Sequence, residues 1–171
     1  MTEQQLYGIT CLYLVLTAAV AVLTRATPRR IVGALAGAAV CGPVAFGIVV
    51  FAERAGWWHI AIMREPYFLM LLWVNVVLCA FVFLLTWRVA RRFGRWGLAV
   101  LLVISAALGP FRDSWFMARF PEWGSYAPGI APMLAISAAY VLLGSLGHGT
   151  MRLVAGPAIA DRLARRPWES A

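Results

Sequence analysis

The sequence predicts an all-α integral membrane protein, a bundle of five transmembrane helices with its amino terminus outside and its carboxyl terminus cytoplasmic. Three observations predict it. Of the 171 residues, 63% are hydrophobic and only 13% are charged, about half the charged share of a soluble domain. The apolar residues gather into runs near the length of about 20 that a helix needs to cross a hydrocarbon core of about 30 Å. Arginines are dense in alternate connections and sparse in the others, which is the charge bias of a multi-pass chain.

The five runs are 6–24, 31–52, 67–87, 96–111 and 129–148. Ahead of the first stands "MTEQQ", with an acid, no base and no small-residue cleavage site, so this run is expected to remain as a span. The second carries Gly33, Ala34, Gly37 and Ala38, small residues at four-residue spacing that let two membrane helices approach closely. Asn75, in the third, is the one amide inside a span; it suits either a helix-to-helix hydrogen bond or a polar point in a pocket. The fourth run is sixteen residues long, about 24 Å of helix, so either the bilayer thins or the helix continues through "RDSWFMARF". Continuation would draw Arg112 and Asp113 below the outer interface. The fifth run ends in "GSLGHG", a close helix contact or a helix end. Beyond it, 156–168 reads as a short interfacial cytoplasmic helix, opened by Pro157, with Ile159 and Leu163 four apart and arginines on the remaining face. Residues 1–171 form a single transmembrane domain.

Net charge is +8, and all fifteen basic residues are arginine. The absence of lysine excludes a Schiff-base mechanism, retinal and pyridoxal phosphate linkages included. Eleven arginines fall in the connections after runs one, three and five, and four (Arg54, Arg64, Arg112, Arg119) in the other two. The positive-inside rule therefore places the first set in the cytoplasm of a multi-pass protein of the inner (plasma) membrane. Because this topology accounts for the arginines, no nucleic-acid partner is implied.

Cys11, Cys41 and Cys79 lie in three different runs without C-x-x-C spacing and read as small core hydrophobes. His59 and His148 fall at opposite membrane faces, so they cannot share a metal or a haem. No nucleophile elbow, zinc helix, P-loop or nucleotide fingerprint is present, and no cofactor or metal is implied.

The two outer connections, "FAERAGWWHIAIMREPY" and "FRDSWFMARFPEWGSYAP", share a grammar. Each opens on Phe, an acid beside an arginine and an aromatic pair: Glu53, Arg54, Trp57 and Trp58 in one, Arg112, Asp113, Trp115 and Phe116 in the other. Each closes on arginine, glutamate, proline and tyrosine: Arg64, Glu65, Pro66 and Tyr67 against Arg119, Pro121, Glu122 and Tyr126. This is either a weak internal repeat about an axis along the membrane normal or the ordinary enrichment of aromatics and charges at an interface. Adjacent helical residues point in different directions, so Asp113 is expected to pair with Arg54, and Arg112 with Glu53.

These charges, walled by Trp57, Trp58, Trp115 and Trp123 with His59 and Asn75 nearby, suit an outer-leaflet pocket for a lipid or isoprenoid-like molecule. Asp113 and Glu53 are the candidate catalytic acids of a cyclase- or isomerase-type reaction; Arg54 and Arg112 would hold a headgroup. The layout, acids at membrane-helix ends among tryptophans, is similar to that of integral membrane terpene and carotenoid cyclases, but no run of residues carries a family role across. The alternatives are salt bridges that only fasten helix ends, a non-catalytic accessory subunit of a larger membrane complex or a homo-oligomer, and a small transporter.

Overall fold

The computed structural model describes residues 3–60 and 68–160 and is about 85% helical. Helix α1 spans Glu3–Leu23 and α2 spans Pro28–Arg54. A two-residue strand, β1, follows at Trp58–His59. Helix α3 runs Phe68–Arg119, strand β2 is Ser125–Tyr126, α4 is Ile130–Ala155, and a 3₁₀ turn occupies Ala158–Ala160. Among the described residues, three helical stretches are long and apolar enough to cross a membrane, Pro28–Arg54, Trp73–Arg119 and Ile130–Ala155; Tyr7–Leu23 is a shorter apolar one. This architecture is that of an all-α membrane protein.

Helix boundaries follow local chemistry. Pro28 opens α2, where its missing N–H would have been unpaired in any case. Gly94 divides α3: its φ of 64° and ψ of −158° lie in a region essentially confined to glycine. The two arms, 68–93 and 95–119, both lie against α4. Thr86 of the first arm meets His148, while in the second Leu102 covers Gly144 and Ala106 accepts a hydrogen bond from Ser137.

Many large apolar side chains point outward, while the face that α2 turns to the core is made of small ones. Ala34, Ala38 and Cys41 are fully buried, whereas Val22, Val103 and Leu153 are 76%, 66% and 87% exposed. An aqueous domain would reverse this order; a helix apolar on every face belongs in lipid or in a large core. The core forms where α2, the first arm of α3 and α4 meet, around Phe83, Leu84, Trp87 and Met151. Its closest approach is glycine on glycine: a Cβ on Gly37 would lie 2.6 Å from the carbonyl oxygen of Gly147, and one on Gly147 would enter the Phe83 ring. The expected small-residue face of α2 is thus covered by α4 of the same chain.

The arginine-rich connections converge at one end. Arg30, 2% exposed, donates to the Pro157 carbonyl oxygen at 2.9 Å and stacks 5.4 Å from the centre of the Trp87 ring, which Arg91 approaches at 6.0 Å. Arg29 reaches the Val154 carbonyl oxygen from α2. Strands β1 and β2 lie at the opposite end.

Several expected boundaries move. The second arm of α3 extends well past 111, so Arg112, Asp113 and Trp115 sit on a helix instead of in a connection. Helix α4 continues past 148 to Ala155, because the glycines of "GSLGHG" serve close approach within the helix. Of the expected interfacial helix at 156–168, residues 156–160 are described, the last three as the 3₁₀ turn; the remainder, together with Arg64, Glu65, Pro66 and Tyr67, lies outside the described residues.

Candidate functional site

The two connections that carry the acid, arginine and tryptophan pattern do meet, through backbone. Trp58 pairs with Tyr126 and His59 with Ser125 in an antiparallel ladder, and the Ala127 N–H donates to the Trp57 carbonyl oxygen at 2.8 Å. Gly124 permits the approach, since a Cβ there would strike the His59 carbonyl oxygen. Trp58 is buried against Ile136 and Tyr126, with the Tyr126 ring edge-on at 5.9 Å. The joined loops form a cap over the ends of α2, α3 and α4.

The charges pair differently from expectation. Arg112 binds its own neighbour: Nε and Nη2 donate to Asp113 Oδ1 at 2.9 and 2.6 Å. Both residues share Tyr140 of α4. Its hydroxyl accepts from Arg112 and donates into the Asp113 carboxylate, 3.0 Å from Oδ2 and 3.2 Å from Oδ1. The expected Asp113–Arg54 and Arg112–Glu53 pairs do not form. The long arginine side chain bends back around the helix surface, and an inter-helix phenol holds both ends of the pair, so no partner from the other loop is needed. Gly109, one turn before Asp113, makes room for the Tyr140 ring.

The other sequence-predicted residues are dispersed. Glu53 lies 3.4 Å from His59 Nδ1, with both side chains partly open to the surroundings. Arg54 is exposed at the end of α2. Trp57 stands edge-on to Phe51, and Trp123 stacks with Phe120 beside Phe116. Trp115 is 67% exposed. Asn75 stays within its own helix, its carboxamide oxygen 3.7 Å from Cys79 Sγ. The structure therefore gathers Arg112 with Asp113 and Glu53 with His59, and does not join the two groups into one charged, tryptophan-walled site.

A cavity does lie close by. A cleft of about 380 Å³ opens between the end of α3, the β2 loop and the start of α4, lined by Ser114, Met117, Tyr126, Pro128, Gly129 and Met133 among others. The volume falls in the range of about 300–1,000 Å³ typical of small-molecule pockets. Polar atoms are few: Ser114 Oγ points at Met133 Sδ, 3.6 Å away. The Tyr126 phenol is pushed up to about 12, first by burial and then by the Asp113 carboxylate, against the opposing pull of Arg112. The indole N–H groups of Trp58, which pairs with Tyr126, and of Trp123, beside Gly124, are buried without an acceptor among the described residues.

The chain matches no protein-family model, no curated protein and no solved structure.

Sequence reasoning missed this cleft. Its lining residues are methionine, serine, proline and glycine, which carry no charge pattern and come together only when the loop folds back over α3. The one available signal was the density of Pro and Gly in "PEWGSYAPG", which marks a loop with a fixed shape.

Proposed function

We propose that this chain is a five-span protein of the inner membrane, amino terminus outside and carboxyl terminus cytoplasmic, that holds a lipid or isoprenoid-like amphiphile in the cleft at its outer end. The spans are α1, α2, the two arms of α3, and α4. At about 1.5 Å per residue the arms are about 39 and 37 Å long, each sufficient for a hydrocarbon core of about 30 Å. Gathering of the arginine-rich connections at one end supports the orientation.

The observation that carries the ligand reading is the cleft itself: an open, mainly apolar space of about 380 Å³ at the level where an acyl or prenyl chain meets its headgroup. Binding is favoured over acid-assisted cyclisation or isomerisation, because the Asp113 carboxylate is already occupied by Arg112 and Tyr140. Gly33 and Gly37 of α2 are covered by α4, which leaves the accessory-subunit reading the aromatic loops as its docking surface.

The test is mass spectrometry of ligands retained by the full chain purified in mild detergent, compared with Ala118→Trp and Met133→Trp, which fill the cleft from α3 and from α4. An apolar species present in the wild type and lost from both variants, at unchanged thermal stability, is the expected result. Equal retention in all three proteins would overturn the assignment.

A further inference from the structure

We infer that the turn at Gly94 is a docking site for the phosphate headgroups of anionic lipids in the inner leaflet. The inference rests on the membrane orientation proposed above and is independent of the cleft. On the first arm of α3 two helical faces separate. Trp87 and Arg91, one turn apart, face inward, where the Arg91 guanidinium lies 6.0 Å from the indole centre. Arg88 and Arg92, also one turn apart, are exposed. Like charges at this spacing repel along a helix, and no acidic residue among the described ones lies at this end. An external anion is a counter-charge that these exposed guanidinium groups can take.

The turn adds a third cation and its aromatic flank. The left-handed φ of Gly94 ends the arm, and Arg95 follows it exposed, its guanidinium 5.7 Å from the centre of the Trp96 ring. Phe93 and Trp96 are 65% and 72% exposed. Large aromatics beside cations, at the end of an apolar helix, belong at the headgroup boundary of a bilayer. A nucleic acid would have to lie across these rings and the apolar helix surface beyond them, so the occupant that fits both features is a lipid phosphate, which guanidinium groups grip through paired N–H donors. Attraction to an anionic leaflet is worth about fivefold for each such arginine.

The test uses the full chain in bilayer discs of equal parts phosphatidylcholine and phosphatidylglycerol, with retained lipids identified by native mass spectrometry. The wild type is expected to retain phosphatidylglycerol preferentially, and the R88Q/R92Q/R95Q protein to lose about tenfold or more of that preference. R119Q, which removes an exposed arginine at the opposite end of the arm, is expected to keep it. Equal retention of both lipids by the wild type, or a preference unchanged in R88Q/R92Q/R95Q, overturns the inference and leaves the cleft assignment standing. Failure of the wild type to insert into the discs overturns the membrane reading and this inference together.

Discussion

Tyr140 ties the Arg112–Asp113 pair on α3 to α4, so its hydroxyl fastens two helices as well as two charges. Tyr140→Phe keeps the ring over Gly109 and removes the shared hydroxyl; a loss of about 1–2 kcal/mol is expected, read as a lower thermal midpoint in detergent. Tyr126 gives a pH signature. Its phenol, ordinarily near 10, is pushed up to about 12 in the folded chain, so the fold favours the protonated form. The resulting stability is fully present below pH 10 and is lost as pH rises through about 12. Alkaline unfolding of the wild type should therefore steepen across this window, and Tyr126→Phe should remove that component. A midpoint with the same alkaline dependence in both proteins would show that Tyr126 does not contribute.

Among elements, the contact of α2 with α4 is set by glycines, and the two kinds of glycine in α2 should respond oppositely. At Gly37 an added methyl meets the Gly147 backbone at 2.6 Å, while at Gly47 nothing lies within 4 Å. Gly37→Ala is expected to destabilise by about 1–3 kcal/mol through overpacking, and Gly47→Ala to be neutral or to stabilise by up to about 1 kcal/mol through helix propensity. Gly94→Ala separates conformation from crowding, since no atom stands within 4 Å of the added carbon but φ is +64°. A cost of about 1–3 kcal/mol is expected from the backbone alone. Thermal unfolding of the three variants in one detergent measures all of these, and equal effects at Gly37 and Gly47 would refute the close-contact account.

For the whole molecule, the proposed orientation separates a capped outer end from an arginine-rich inner one. With the three native cysteines replaced by alanine, Ser125→Cys should react with a membrane-impermeant maleimide in intact cells. Gly156→Cys should react only after permeabilisation. Labelling in the reverse order would invert the proposed topology. The capped end owes its shape to the ladder between Trp58–His59 and Ser125–Tyr126, which fixes the loop that forms one wall of the cleft.

What depends on local composition is legible along the chain: helices apolar on every face, arginines in alternate connections, and the small-residue face of α2. Such features are summed along the chain, so periodicity and residue type suffice to read them. That the fourth run continues past 111, one of two options its short length left open, was decided by the fold. Tertiary structure alone decided the partners. Arg112 turned back to Asp113 because Tyr140, twenty-eight residues away, stood ready to hold both; no spacing rule announces a phenol on another helix. Likewise, Glu53 and Asp113 share a similar local grammar, yet one ends at an exposed histidine and the other in an inter-helix network. The cleft, too, exists only because β1 and β2 pair across the cap, bringing uncharged residues such as Ser114, Tyr126 and Met133 around one space. Hydrophobic burial is additive and therefore legible in one dimension, whereas hydrogen-bond partners and cavities depend on which surfaces the fold brings within a few ångströms of one another.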